Sequence, residues 1–267
     1  MAYFVATFYH LVPFAAHASV QAPWKAFMAA RGVTGTILVT PEGINGTIAG
    51  PEDGVRATLA MIGGLPLFAG LTWKESVSAT NPFPRTKVKL KRETIPLGVP
   101  VDPAQRGAYV KPADWNSLIA DPNTIVVDTR NDYEVAIGRF AGAQNPATAI
   151  FKELPAWLNM HLPEDKTQRI AMYCTGGIRC EKSTAYLKQQ GYENVYHLEG
   201  GILKYLEEVP PSQSLWEGDC YVFDDRVAVD HHLQPSAHYS VCKTCNMPVT
   251  AGDMKRAGAV PICPRCR

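Results

Sequence analysis

The chain has 267 residues. That exceeds a typical domain of roughly 100 to 200 residues and leaves room for two domains with a small appendage. Hydrophobic residues make up 46% and charged residues 19% of the chain, and these ordinary globular values exclude whole-chain disorder and a fibrous architecture. Because 26 Lys and Arg residues nearly balance 25 Asp and Glu residues, a polyanionic partner would have to meet a local patch of positive charge.

Signals for membrane insertion or export are missing from the sequence. It holds no apolar run of about 18 residues, and no basic region precedes the apolar stretch at residues 3–9. The seven cysteines are an odd number, and four of them cluster near the C-terminal end, which is typical of reduced thiols. We therefore expect a cytoplasmic protein with no membrane partner. Nothing in the sequence indicates an oligomeric state.

Residues 1–92 carry the element order β-α-β-β-α-β, which predicts a ferredoxin-like, acylphosphatase-like α+β sandwich. The hairpin connection is predicted at Asn45-Gly46, because these residue types tolerate positive φ. Apolar periodicity and turn residues predict strands at 3–9, 35–40, 46–50 and 87–90, with helices at 23–31 and 51–62.

The rest of the chain divides into three predicted parts. Residues 93–120 are rich in proline and weakly periodic, which predicts an interdomain linker. Residues 121–212 alternate continuous apolar strands with helices and predict a parallel α/β sheet covered on both faces. Residues 213–267 form a tail that is too short for a large core. In the α/β part, strands are predicted at 124–128, 169–174 and 195–198, with helices near 153–160 and 179–190.

The segment from Cys174 to Cys180 lies between an apolar strand and a helix, at the sheet edge where open α/β sheets bind ligands. Gly176 and Gly177 let successive backbone N–H groups point inward, and the helix start adds positive potential. Such surroundings lower the pKa of a thiol. We therefore predict that Cys174 is a nucleophilic thiolate that opens to solvent. The alternative is a small, buried residue at the end of a strand.

The spacing of this loop separates two chemistries. Cysteine phosphatases need a C-x5-R cradle, whereas Cys174 and Arg179 are spaced C-x4-R and Cys180 occupies the phosphatase arginine position. The tighter cradle suits a single sulfur atom better than a phosphate. Cys180 itself has two open interpretations: a resolving thiol for oxidised Cys174, or a residue that packs the helix onto the sheet.

The α/β part resembles the rhodanese family over about 90 residues, through the cysteine loop and the segments 126–146 and 196–206. Arg139 stands where the family more often has histidine. The resemblance implies that Cys174 carries a persulfide during sulfur transfer. It also implies that the negative charge is held by Arg179 and the backbone of the active-site loop, residues Thr175, Gly176, Gly177 and Ile178.

A narrower resemblance covers nearly the whole chain. Four separated motifs, YFVATFYH, PEGINGTIAG, NPFPRTKVKLKRETIPLG and YCTGGIRCEKS, are similar to those of rhodanese-domain tRNA uridine hydroxylases. This resemblance implies an oxidoreductase that uses molecular oxygen to hydroxylate C5 of the wobble uridine in the anticodon region of tRNA, with Cys174 essential. No Gly-rich dinucleotide fingerprint occurs, so we expect no flavin or nicotinamide site.

The last predicted strand of the N-terminal domain alternates four cations with other residues. A period of two places these cations on one face: Arg85, Lys87, Lys89 and Lys91. Edge-strand lysines that discourage aggregation are the ordinary explanation. Four like charges repel one another, however, and a phosphate backbone would stabilise them. With the resemblance to tRNA-modifying enzymes, we favour tRNA binding.

The tail carries two C-x-x-C pairs, Cys242 with Cys245 and Cys263 with Cys266, separated by 17 residues. This is zinc-ribbon spacing, in which four thiolates surround Zn²⁺ tetrahedrally. In so short a segment, metal coordination would hold the fold together. Disulfides in an oxidised preparation are the alternative.

Three functions compete at this point. The first is the tRNA hydroxylase. The second is a thiosulfate sulfurtransferase-like enzyme that passes persulfide sulfur to a thiol or RNA acceptor. The third is a non-enzymatic RNA-binding protein. A sulfur carrier needs neither a cationic strand nor a zinc ribbon, which favours the first. The intact loop of cysteine, glycines and arginine argues against the third.

Overall fold

A computed structural model describes residues 2–224, 226–245, 247–250, 252–253, 260–263 and 266. The chain divides into two units, Met1–Pro96 and Leu97–Arg267. Within the described ranges, every helix is too short or too polar to cross a membrane.

The first unit is the expected ferredoxin-like sandwich, with two helices on a five-stranded sheet. Strand order in the sheet is β4-β1-β3-β2-β5. Phe8, Ile37 and Ile48 of the sheet pack with Leu59 of the second helix in one buried core. The elements are β1 (Tyr3–Leu11), α1 (Gln21–Ala29), β2 (Thr34–Thr40), β3 (Gly43–Gly50), α2 (Glu52–Gly63), β4 (Trp73–Ser78) and β5 (Thr86–Leu90).

The final strand of the sandwich differs from the prediction. β4 completes the β-α-β-β-α-β order by pairing antiparallel with β1. The predicted strand at 87–90 exists as β5, but it is an additional strand that pairs parallel with β2 at the opposite edge. β4 was not predicted, because its WKESVS sequence is partly exposed along a sheet edge and has no clean apolar alternation.

The hairpin between β2 and β3 is confirmed, but its turn is at Pro41 and Glu42 rather than at Asn45-Gly46. Gly46 lies inside β3, paired with Ile37 on one side and Phe8 on the other. A Cβ at Gly46 would lie 2.9 Å from the Thr36 carbonyl oxygen. This glycine therefore serves close strand packing, which is the other common use of glycine in a strand.

The second unit is built on a parallel sheet with strand order β6-β10-β9-β7. The predicted apolar strands are found where they were expected, because each is a continuous buried run. The elements are β6 (Ala108–Val110), α3 (Pro112–Ile119), β7 (Thr124–Asp128), α4 (Asp132–Val135), β8 (Gly138–Phe140), α5 (Leu154–His161), β9 (Arg169–Tyr173), α6 (Ile178–Gln189), β10 (Val195–Leu198), α7 (Gly201–Glu208), β11 (Trp216–Gly218), β12 (Cys220–Tyr221), β13 (Ala228–Val229), β14 (Tyr239–Val241) and β15 (Pro248–Thr250).

Part of the predicted linker at 93–120 belongs to this unit. β6 pairs parallel with β10 at the edge of the sheet. Trp115 of α3 is fully buried in the same core as Tyr173 and Tyr205. The proline content of the segment, which suggested a linker, includes Pro112 in the first turn of α3, a position that proline favours.

The first part of the tail also packs on the parallel-sheet domain. β11 pairs antiparallel with β8, and the Trp216 ring lies edge-on to Phe140 with a centroid distance of 5.1 Å. Cys220 is fully buried in the same core. The separate cysteine cluster follows β14, where Cys242, Val249 and Cys263 form a small core of their own.

Candidate active site and metal centre

The Cys174 loop connects a buried strand to a helix, as the sequence predicts. β9 ends at Tyr173 and α6 begins at Ile178. Gly177, with φ of 98°, turns its backbone so that its N–H donates to Cys174 Sγ at 3.1 Å. The sulfur therefore sits at the amino end of α6, where the backbone N–H groups and the helix dipole favour a negative charge.

The start of α7 holds this loop in place. Ile202 N–H donates to the Cys174 carbonyl at 3.0 Å, and Leu203 N–H donates to the Thr175 carbonyl at 3.1 Å. This close approach requires Gly201, which has φ of 68° and whose added Cβ would lie only 2.5 Å from the Cys174 carbonyl oxygen. No role was predicted for Gly201, since its proximity to the loop depends on the tertiary fold.

Arg179 is buried beneath the loop and paired with Glu134 of α4. Its Nη1 and Nη2 donate to the two Glu134 carboxylate oxygens at 2.6 and 2.7 Å, and Nη2 lies 3.5 Å from Thr175 Oγ1. Burial would lower the pKa of Arg179, but the charge of Glu134 and its hydrogen bonds raise it. Arg179 is thus permanently charged, and most of that charge is balanced by Glu134.

Glu134 is the partner that the sequence analysis missed. It is fully buried, and although burial raises the pKa of a carboxyl group, the Arg179 charge and hydrogen bonds lower it. Glu134 also accepts the Asn131 N–H at 3.1 Å, which completes a capping box at the start of α4. The Asn131-x-x-Glu134 spacing signals a helix start, but it does not show that the carboxylate faces Arg179.

The electrostatics of Cys174 favour the thiolate. Burial opposes ionisation, but a hydrogen bond from the Cys180 thiol, the Arg179 charge and the backbone N–H groups at the helix start outweigh it. Together they lower the pKa of Cys174 to about 6. The pKa is shifted in the direction that the glycine loop and the following helix predict.

The access of Cys174 differs from the prediction. Cys174 is only 1% exposed, so its sulfur lies below the surface rather than opening to solvent. The physical reason is the tight loop, whose own backbone and α7 enclose the residue. Half-buried Gly176 marks the rim, because a Cβ built there meets no atom within 4 Å. The loop therefore has free space beside Gly176, whereas the Cys174 sulfur is buried.

Cys180 lies beside Cys174 in the first turn of α6. It is fully buried, and its Sγ is 3.6 Å from Thr129 Oγ1. Burial and the neighbouring Cys174 raise the pKa of Cys180 well above its ordinary value, so this thiol keeps its proton. A protonated Cys180 can donate to a Cys174 thiolate. The other loop residue, Ile178, is half-buried at the start of α6.

The four tail cysteines come together as a candidate metal centre. The sulfur atoms of Cys242, Cys245, Cys263 and Cys266 lie within 4.8 Å of one another, and Cys245 Sγ is 3.5 Å from Cys263 Sγ. A tetrahedral zinc ion with bonds of about 2.3 Å separates its sulfur ligands by about 3.8 Å. The arrangement therefore fits a four-thiolate zinc site, with one knuckle between β14 and β15.

The cationic strand lies in the first unit. Arg85, Lys87, Lys89 and Lys91 are all exposed, whereas Val88 between them is 5% exposed. Leu90 departs from the expected pattern, since it is 38% exposed. Among the described residues, none of these four cations forms an ion pair. The strand thus presents uncompensated positive charge at one sheet edge.

Comparison with known proteins matches both units. Residues 3–94 match the UPF0176 acylphosphatase-like domain, and residues 111–208 match the rhodanese-like domain. A rhodanese-like domain from Anabaena sp., solved by NMR, is 20% identical with a TM-score of 0.35, covering 41% of this chain and 78% of that one.

Two relatives match along nearly the whole chain. The tRNA uridine(34) hydroxylase of Acaryochloris marina is 52% identical over 263 residues, covering 97% of this chain and 84% of that protein. The tRNA uridine(34) hydroxylase of Sinorhizobium fredii is 53% identical over 254 residues, covering 94% and 81%. By this similarity, the chain belongs to the tRNA uridine(34) hydroxylase family.

Proposed function

We propose that this protein hydroxylates C5 of the wobble uridine in the anticodon of tRNA, as a cytoplasmic oxidoreductase of the EC 1.14 type with molecular oxygen as co-substrate. The observation that carries the proposal is the similarity along the whole chain, in both units, to proteins named tRNA uridine(34) hydroxylase. We place the active site for this hydroxylation at the buried Cys174 loop.

Cys174 is the proposed reactive residue, as a thiolate or as the persulfide formed from it. Its pKa of about 6 leaves the sulfur ionised at neutral pH. The Gly177 N–H bond to the sulfur and the Arg179 charge stabilise this anion. Glu134 orients Arg179 through a two-point contact, so it is a positioning residue.

Nucleoside mass spectrometry of tRNA tests the proposal. In a strain that lacks the gene, 5-hydroxyuridine and its derivatives should disappear; wild-type protein should restore them, and Cys174→Ser should not. Loss of a thiolated base instead would support the sulfurtransferase function that a rhodanese-like domain also allows. An unchanged nucleoside profile would contradict both hydroxylation and sulfur transfer to tRNA.

β5 and its flanks are the proposed tRNA-binding surface. The four cations Arg85, Lys87, Lys89 and Lys91 are exposed on one edge strand, where each can neutralise a phosphate and release counterions. Anticodon-loop binding near the reactive loop would supply the base, and this surface would supply sequence-independent affinity.

Charge reversal at Lys87→Glu and Lys89→Glu should weaken tRNA binding and make it less dependent on salt. The slope of the logarithm of the binding constant against the logarithm of the salt concentration should become shallower by about 0.7 to 0.9 for each phosphate that is no longer neutralised. The matched control is Lys111→Glu with Lys166→Glu, which makes the same charge change at two exposed positions of the second unit. Equal affinity and slope in the β5 variant and wild type would reject the proposed surface.

Zn²⁺ is the proposed metal of the four-cysteine site, where it would cross-link the two knuckles and stabilise the short tail. Reduced, freshly purified protein should contain close to one zinc ion per chain. A content well below one would reject a zinc-based tail.

A further inference from the structure

An exposed aromatic residue lies next to the active-site loop. Phe223, in the connection between β12 and β13, is 67% exposed, although a phenylalanine side chain normally gains free energy by burial. The guanidinium carbon of Arg179 lies 5.8 Å from the centroid of the Phe223 ring. Arg179 is only two residues beyond Gly177, whose N–H contacts the Cys174 sulfur. The ring therefore borders the reactive site.

A second aromatic ring supports Phe223. The Phe223 ring meets Tyr221 edge to face, with a centroid distance of 5.0 Å and an interplanar angle of 87°. Tyr221 is 8% exposed and meets Tyr133 in the same way at 5.2 Å. The backbone beside the ring is fixed as well, because Val222 N–H donates to the Val227 carbonyl at 2.9 Å. These contacts hold an aromatic ring that remains 67% exposed.

The charge beside the ring favours a neutral, flat ligand. Both terminal nitrogens of Arg179 donate to Glu134, so this buried arginine has little capacity left for a phosphate. The β12–β13 hairpin also lies beyond residues 111–208, the part that matches the rhodanese-like domain. It is therefore an addition to the sulfur-carrier fold that brings an aromatic side chain to the Cys174 loop.

We propose that Phe223 is the platform on which the base of the substrate uridine stacks when it is presented to Cys174. This inference rests on the proposed function. Proteins that recognise unpaired RNA bases commonly stack them on aromatic side chains, and enzymes that modify a base hold it extruded against aromatic or apolar groups. A base stacked on Phe223 would lie near the Arg179 guanidinium, whose charge stabilises the Cys174 thiolate.

Binding of an anticodon stem-loop with uridine at the wobble position tests the platform, with full-length protein. Phe223→Ala and Phe223→Leu should weaken binding by about 5- to 150-fold, the usual effect of losing one aromatic stacking partner. Phe223→Tyr should bind like wild type, since it keeps a flat ring. Met160→Ala, which changes an apolar residue on α5 that is 78% exposed, is the matched control and should also bind like wild type.

Photochemical cross-linking locates the contact directly. A stem-loop carrying 5-iodouridine at the wobble position should cross-link to the peptide that contains Phe223, and this product should be absent in Phe223→Leu. Unfolding midpoints equal to that of wild type would show that the variants are folded. Cross-linking only to other peptides, unchanged affinity in Phe223→Ala, or no binding by wild type would overturn the platform.

These outcomes are distinct from failure of the proposed function. If the wild-type protein binds the stem-loop through Phe223 but forms no 5-hydroxyuridine in cells, the platform stands and the hydroxylase function is wrong. If hydroxylation occurs with equal KM and kcat in wild type and Phe223→Leu, the function stands and the platform is wrong.

Discussion

Two thiols in the second unit, Cys174 and Cys220, are almost equally buried but ionise in opposite directions. Cys174 is 1% exposed and has its pKa lowered to about 6, whereas Cys220 is fully buried and has its pKa raised to about 12. Cys174 Sγ accepts the Gly177 N–H, while the Cys220 thiol lies as a donor 3.6 Å from the Tyr221 carbonyl. Burial alone therefore makes a thiol inert, and donors around the sulfur reverse that effect.

The largest difference that we expect between Cys174 and Cys220 is the effect of their substitution on tRNA hydroxylation. Cys174→Ser should reduce tRNA hydroxylation below detection, because a serine hydroxyl does not ionise near neutral pH. Cys220→Ala should keep the activity and lose about 1 kcal/mol of stability, since it removes one small group from the core. Nucleoside analysis and urea unfolding measure the two effects. A Cys220→Ala variant as inactive as Cys174→Ser would show that the two thiols do not differ in role.

The next largest effect is on stability, through the buried ion pair under Cys174. Arg179→Gln should destabilise the protein by about 3 to 5 kcal/mol, because the buried Glu134 carboxylate loses its ion-pair partner. Adding Glu134→Gln should restore most of that stability, as measured by urea unfolding. In both variants the pKa of Cys174 should be higher than in wild type, because the Arg179 charge that lowers it is gone.

The double variant separates folding from electrostatics. If Arg179→Gln with Glu134→Gln is stable and Cys174 still ionises as in wild type, the arginine charge does not activate the thiol. The difference in pKa between Cys174 and Cys220 would then be due to the Cys180 thiol and the backbone donors.

A smaller effect is expected at Cys180, whose thiol donates to Cys174. Cys180→Ala should raise the pKa of Cys174, since it removes a hydrogen bond to the thiolate worth about 1 kcal/mol. Cys180→Ser keeps a donor and should change this pKa less. The pH dependence of iodoacetamide alkylation at Cys174, followed by mass spectrometry, measures both shifts. Equal midpoints in Cys180→Ala and wild type would exclude this hydrogen bond as a cause.

The same variants test whether Cys180 is a resolving thiol for oxidised Cys174. A resolving thiol would be needed for repeated turnover, whereas a donor is not consumed. Cys180→Ser should therefore keep its hydroxylation rate through many turnovers. Loss of activity after the first turnover would instead indicate a disulfide step.

The sequence was sufficient where a local pattern determines the structure. Continuous apolar runs predicted β7 and β10 at their observed bounds, and the C-x-x-C spacing predicted four cysteines whose sulfurs converge. Partners brought together by the tertiary fold were missed. Glu134 meets Arg179 across 45 residues of chain, and Phe223 reaches the same arginine from a hairpin in the tail.

Local sequence patterns also gave wrong predictions where one residue type, such as glycine, has two structural uses. The Asn45-Gly46 pair has the composition of a hairpin turn, but Gly46 is needed inside β3 because neighbouring strands approach it closely. The sequence of the exposed edge strand β4 has too little apolar periodicity to predict a strand. The depth of Cys174 was likewise not predictable, because it depends on α7 closing over the loop through Gly201.

The central claim is that Cys174 is an anion at neutral pH despite its burial. The most direct test is the pH dependence of the ultraviolet thiolate absorbance below pH 8, taken as the difference between wild type and Cys174→Ser so that the cysteines away from this loop cancel. The account predicts a single transition centred near pH 6. A difference with no midpoint in this range, as the ordinary thiol pKa of about 8.5 or burial alone would produce, would contradict the account.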